Sequence, residues 1–259
     1  MVPYIHTDEK HHFSRGLFIS STGTGIGKTI VTAGIGAYCR GICQRRIRIW
    51  KPVQSGVTLG DPEADSYRLR MGSGLIDTPE EEIATWTLPD PLAPWMAFER
   101  AGVPFAFERL LEEGRRRQED GSFLLVEGAG GIAVPFSAEY TMADAARELG
   151  TPVLLVAPPG LGTVSHTVTA VQYARERGIT DIAVVFSGPR SLADEREIAE
   201  NARMIEAMAG VPVCGIVPWL MQPANAQAVE MEAWVAWREQ WLESFVRMEK
   251  MMDWLRKRI

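Results

Sequence analysis

The chain has 259 residues, of which 46% are hydrophobic and 23% charged, and a formal net charge of -6. That is the composition of a soluble α/β domain with room for a large core, and it excludes a disordered chain. Its negative balance argues against general binding to nucleic acid or to an anionic membrane surface. The opening MVPYIHTDEKHHFSR is polar and no apolar run is long enough to span a bilayer, so residues 1–15 are expected to form a tail and the cytoplasm is the expected compartment. Cys39, Cys43 and Cys214 are odd in number and read as reduced thiols that serve packing.

The first element is the most informative. Gly16 to Ser21 reads as an apolar strand, Thr22 to Gly27 as a glycine-spaced loop, and a helix follows from Lys28. Gly23, Gly25 and Gly27 let the backbone of the loop, Thr24 and Ile26 included, turn its N–H groups toward one point at a helix N-terminus. Phosphate oxygens fit there, with Lys28 reaching the β- and γ-phosphates and the Thr29 hydroxyl reaching magnesium. Thr22 replaces the first glycine of the strict phosphate-loop pattern, so the loop is a variant of it.

Further strands are predicted over 46–51, 122–127, 152–157, 181–187 and 212–217. Helices are predicted over 28–43, 104–118, 138–149, 163–177 and 191–209. This alternation predicts a doubly wound, mostly parallel sheet with helices on both faces, of the kind found in phosphate-loop nucleoside triphosphatases. Residues 57–103 read as an irregular segment with short helices near 62–71 and 93–101, long enough to cover a substrate. Ligands of such sheets lie at the carboxyl ends of strands, which brings three stretches to one crevice: the phosphate loop, Lys51-Pro52-Val53-Gln54-Ser55-Gly56, and Glu127-Gly128-Ala129-Gly130-Gly131. Pro52 is expected to stop the second strand and leave the Lys51 ammonium beside the phosphates. Glu127, closing a buried apolar strand, calls for a cation.

The phosphate loop ending in Gly27-Lys28-Thr29, the KPVQSG turn, Asp65-Ser66 and FLLVEGAGG resemble the motif set of the dethiobiotin synthetases. The likeness continues through Leu92-Ala93-Pro94, Gly160 to His166 and Val217 to Leu220, covering residues 16–220 in order. It implies an ATP-dependent ligase of biotin biosynthesis that forms a ureido ring from 7,8-diaminopelargonate and carbon dioxide, through a carbamate and a carbamic-phosphoric anhydride. By that resemblance Lys28, Lys51, Thr24 and Ser55 are catalytic, and Thr29, Asp65 and Glu127 arrange magnesium. Gly23, Gly25, Ile26, Gly27, Lys28, Thr29, Ser187, Pro218, Trp219 and Leu220 would bind ATP. Thr24, Lys51, Ser55, Gly130, Gly131, Leu161, Gly162 and Ser165 would bind the diamine, the last three across a homodimer interface. Three positions depart from the family pattern: Gly25 stands where glutamate is frequent, and Ser165 and Ser187 where asparagine is usual. A related phosphate-loop amidoligase and a ParA-like ATPase switch are the alternatives.

After Pro223 the chain reads as helix, with Trp234, Trp241, Phe245, Met248, Met252 and Leu255 on one face. Packing of that stripe on the body of the same subunit is the expectation. A dimer contact or a membrane-surface helix ending in Arg256-Lys257-Arg258 is the alternative. The expected divisions are thus the tail, a synthetase domain over 16–222 and this helical segment over 223–259.

Overall fold

The computed structural model describes residues 16–188, 194–217, 220, 223 and 230–259. Among them seven strands form one sheet in the order β3-β2-β4-β1-β5-β6-β7, every pairing parallel. The strands are β1 (Gly16–Ser21), β2 (Ile47–Ser55), β3 (Ala84–Leu88), β4 (Phe123–Glu127), β5 (Val153–Ala157), β6 (Ile182–Ser187) and β7 (Val213–Val217). Central strands such as β5, Val-Leu-Leu-Val-Ala, are apolar throughout because helices cover both faces.

On one face lie α1 (Lys28–Gly41), α2 (Asp65–Ser73), α3 (Glu80–Ile83), α9 (Glu230–Phe245) and α10 (Glu249–Arg256). The other face is covered by α4 (Pro94–Ala101), α5 (Phe107–Gln118), α6 (Met142–Glu148), α7 (Thr163–Glu176) and α8 (Glu195–Ala209). Predicted helices and strands fall at these places, with ends displaced by a few residues. The start of the helix predicted over 191–209 and the predicted tail lie outside the described residues.

Two readings need correction. Pro52 does not stop β2, which continues to Ser55. Pairing with β4 ends at Trp50↔Val126, and from Lys51 onward β2 is paired with β3 alone, so Pro52 sits where only one neighbour needs the ladder. The segment 57–103 is not wholly irregular, because Ala84-Thr-Trp-Thr-Leu adds edge strand β3, with Ala84, Trp86 and Leu88 buried and the threonines half-buried. Its alternation is only five residues long and follows three consecutive glutamates, Glu80 to Glu82, which hides it in the sequence.

The C-terminal stripe belongs to two helices. Trp234, Trp241, Phe245, Met252 and Leu255 are buried, and Met248 packs against the same cluster as a half-buried residue. Trp241 crosses α1 so closely that a Cβ on Gly34 would lie 2.0 Å from its ring. Gly72 of α2 likewise faces Trp234 and Trp237. At the basic end, Arg258 pairs with Asp181 at 2.9 Å and covers the Trp254 ring.

Cys39 and Cys214 are buried, and burial pushes each thiol up to about 12, whereas Cys43 is exposed. One fast-reacting thiol per chain is therefore expected with a thiol reagent under native conditions, and Cys43→Ser should abolish it. Rapid labelling of that variant would show that α1 or β7 opens locally.

Candidate functional site

In the sheet order β4 lies between β1 and β2, so Glu127 is set between the phosphate loop and Lys51. The loop leaves β1 at Ser21 and turns into α1 through Gly25 (φ 73) and Gly27 (φ 86), left-handed positions that favour glycine. Lys28 opens α1, is 7% exposed, and donates from Nζ to Ser21 Oγ at 3.1 Å. Ser21 Oγ in turn lies within hydrogen-bond distance of Gly23 O and Gly130 O, tying the phosphate loop to the loop after β4.

A second cluster stands one helical position on. Thr29 Oγ1 is 2.9 Å from Asp65 Oδ1 and 3.1 Å from Glu127 Oε1. Lys51 Nζ is 2.7 Å from Asp65 Oδ2 and 2.7 Å from Glu127 Oε1, and 3.3 Å from Gly128 O. Lys51 and Glu127 are buried, whereas the Asp65 side chain is 36% exposed at the cavity mouth.

Charge separates the two lysines. Burial lowers Lys28 to about 8, helped by the neighbouring Lys51 ammonium, while Glu127 and Asp65 oppose the shift. Burial alone would also lower Lys51, but the two carboxylates outweigh it and hold its ammonium above the usual lysine range. Asp65 is disfavoured as an anion by burial, yet Lys51 and the Thr29 hydroxyl bring it below the usual carboxylate range. Among the described residues Lys28 thus has no ion pair of its own, and an incoming polyphosphate would supply a countercharge.

Lys28, Thr29, Lys51 and Asp65 line a cavity of about 560 Å³, together with Thr24, Gln54, Ser55, Arg68, the segment Pro91 to Pro94, and Ala129-Gly130, whereas Glu127 is fully buried and does not line it. Ser55 donates its hydroxyl to Leu92 O at 2.8 Å, which leaves its oxygen as an acceptor suited to an amine. Gly131 does not line the cavity; its backbone packs on the phosphate loop, where a Cβ would come 3.1 Å from Ser21 O. Leu161, Gly162 and Ser165 are exposed at the start of α7 and away from this cavity. Ser187 is buried outside the cavity, its hydroxyl without a partner among the described residues. Leu220 packs beside α9, its carbonyl accepting from Trp237 Nε1 at 3.4 Å, and Pro218 and Trp219 lie outside the described residues.

Sequence reasoning overlooked Ser21, Gln54 and Arg68. Gln54 stood inside the quoted KPVQSG turn, but its partners are distant in sequence. Arg68 falls one turn after Asp65 on α2, a spacing that places both on the same side of the helix.

The site suits a divalent cation. Among the described residues Glu127 Oε2 is buried without a hydrogen-bond partner, a costly state for a carboxylate oxygen that a cation would relieve. Among the described residues no cluster of three or more His, Cys, Asp or Glu could hold a metal unaided. Two carboxylates and a hydroxyl beside a phosphate cradle are instead the set used by magnesium ions that share their coordination with nucleotide phosphates and water. No helix among the described residues is long and apolar enough to cross a membrane.

Comparison with known proteins bears on this arrangement. A family model described as an AAA domain matches residues 15–227. The ATP-dependent dethiobiotin synthetase BioD of Bacillus thuringiensis (strain Al Hakam) is 38% identical over 234 residues, covering 90% of this chain and 96% of that protein. The enzyme of the same name from Bacillus cereus (strain G9842) is 39% identical over 204 residues, 79% of this chain and 83% of that protein. Among solved structures, the MinC:MinD cell division protein complex of Aquifex aeolicus aligns over 88% of this chain and 96% of that one at 14% identity and a TM-score of 0.48, too loosely to bear on chemistry. By the extent and identity of the first two matches, this chain belongs to the ATP-dependent dethiobiotin synthetase family.

Proposed function

We propose that the chain is a dethiobiotin synthetase, an ATP-dependent ligase that closes the ureido ring of dethiobiotin from 7,8-diaminopelargonate and carbon dioxide. What carries the reading is the meeting of Lys28, Thr29, Lys51 and Asp65 in one cavity, with the buried Glu127 bonded to Thr29 and Lys51, in a chain from this family. One substrate amine adds to carbon dioxide and loses a proton, giving a carbamate. Its oxygen attacks the γ-phosphorus, ADP leaves, and a carbamic-phosphoric anhydride forms. The second amine then attacks the carbonyl carbon, gives up a proton, expels phosphate and closes the ring.

No enzyme nucleophile is needed, so the protein's part is alignment and charge stabilisation. The loop from Gly23 to Gly27 cradles the phosphates, and Lys28 follows charge onto the transferring group. Lys51 faces the carbamate and the γ-phosphate from the β2 side, with Thr24 and Ser55 holding the reacting end of the diamine and the Gly130 backbone beside them. Thr29, Asp65 and Glu127 would hold magnesium, which neutralises charge on the phosphate oxygens. Leu161, Gly162 and Ser165 would receive the carboxylate tail of a diamine bound in a second copy of the chain, making the enzyme a homodimer. Ser187 and residues 218–220 would meet the base, and a short hydroxyl at 187 cannot form the paired bonds of an amide, so base discrimination is expected to be loose. A compartment with ATP and reduced thiols, the cytoplasm, suits this chemistry.

Phosphate release with magnesium, ATP and bicarbonate should depend on the diamine. Release indifferent to it would point to a nucleotide switch instead. Glu127→Gln is expected to raise the magnesium concentration for half-maximal turnover by at least about tenfold, the scale of disturbing a metal site. An unchanged magnesium titration would remove Glu127 from the cation site.

A further inference from the structure

Helix α2 begins with Asp65 but has Ala64 at its N-cap, a residue with no side chain to receive the first N–H groups of the helix. That task is done from another element. Gln54 Oε1 accepts from Ser66 N at 3.1 Å. Its amide nitrogen donates to Ser66 Oγ at 2.9 Å and to Thr87 Oγ1 of β3 at 3.0 Å. The Ser66 hydroxyl passes the chain on, donating to Glu80 Oε2 at 2.9 Å, and the same oxygen accepts from Gly60 N at 3.3 Å. Gln54, Ser66 and Glu80 are 3%, 0% and 6% exposed, so the bonds among these three are made where water cannot readily replace them.

Gln54 stands three residues after Lys51 on β2, and Ser66 directly follows Asp65. The bonds between Gln54 and Ser66 therefore clamp α2 to the strand that presents the lysine, and with it the 2.7 Å approach of Asp65 to Lys51 and the 2.9 Å approach to Thr29. We propose that Gln54 and Glu80 are positioning residues, which aim the Asp65 carboxylate at the cation site by capping and buttressing the start of α2; the inference rests on the reading that Asp65 helps to hold magnesium. Neither residue need touch substrate. Both hold the outer frame of a cation site whose own carboxylate is partly exposed and would otherwise swing into solvent.

The test uses magnesium-dependent binding of a non-hydrolysable ATP analogue, read as the thermal shift of the whole protein over a magnesium titration, with circular dichroism as the check of folding. Gln54→Leu and Glu80→Ala are expected to raise the half-saturating magnesium concentration about tenfold or more, and in Glu80→Ala, whose residue does not line the cavity, binding of the analogue in chelator should stay as in the unaltered protein. Glu80→Gln, whose amide oxygen can take both bonds of Oε2, should restore the original titration. Thr87→Val removes a bond of the same network that does not reach α2, and should lower the melting temperature without moving the magnesium midpoint. Ser66→Ala, which deletes a single hydroxyl, replaces Gln54→Leu should that variant not fold. Folded variants with unaltered midpoints, or an equal effect from Thr87→Val, would overturn the proposal. An unaltered protein that ignores magnesium would overturn the cation reading beneath it, a result distinct from a failure of the positioning role.

Discussion

Lys51→Gln is expected to lower turnover by at least about a hundredfold, the scale of losing one preorganised charge stabiliser. The lysine is 2% exposed and bridges Asp65 and Glu127 at 2.7 Å each, so its ammonium is fixed in place and kept charged. Glutamine retains a donor for Glu127 but brings no charge to a developing phosphate or carbamate anion. The same change leaves Glu127 as a buried anion short of its partner, which costs about 3 kcal/mol, the low end for breaking a buried pair because the amide still donates. A cation at Thr29, Asp65 and Glu127 would offset that loss, so magnesium should stabilise the variant more than the unaltered protein. Turnover is therefore compared at saturating magnesium, with the fold checked by circular dichroism. Near-normal turnover of the folded variant would take Lys51 out of the chemistry.

Trp241→Ala is expected to cost about 4 kcal/mol of unfolding free energy, within the range for emptying a buried tryptophan site. Its ring is fully buried, stacked on Phe245 with centroids 4.2 Å apart and pressed against Gly34 of α1. Relaxation cannot readily fill the gap, because Gly34 offers no side chain and the sheet lies behind α1. Trp241→Phe should cost about 1 kcal/mol, since it keeps a ring there and discards an indole N–H that has no acceptor among the described residues. Urea titration of both variants measures the difference. A loss below about 1 kcal/mol for alanine would mean that α9 contributes little to holding α1, the helix that begins at the phosphate site.

How far the molecule is readable from its sequence depends on how local each signal is. The phosphate loop is carried by adjacent residues, and the continuous apolar runs of β4, β5 and β6 fit only strands covered on both faces. That placed Lys28, Lys51 and Glu127 at one end of the sheet before any coordinates. Edge strand β3 escaped because its pattern is short, and the end of β2 because the rule against proline applies to strands paired on both sides. Ser21 and Gln54 were invisible for another reason. A serine and a glutamine near the ends of strands carry no signal of their own, and their partners at Gly130 and Ser66 are 109 and 12 residues away. The exposed start of α7 shows the converse case, where sequence likeness assigns a role to Leu161 and Ser165 although neither lines the cavity that holds Lys28 and Lys51.

The most direct test of the central claim is the product itself. Purified protein would be incubated with ATP, magnesium, isotope-labelled bicarbonate and 7,8-diaminopelargonate, and the small molecules identified by mass. Dethiobiotin carrying the label, formed in step with phosphate and absent without ATP, is the predicted result. Phosphate without labelled dethiobiotin, or no phosphate from a folded protein that binds ATP, would contradict the account.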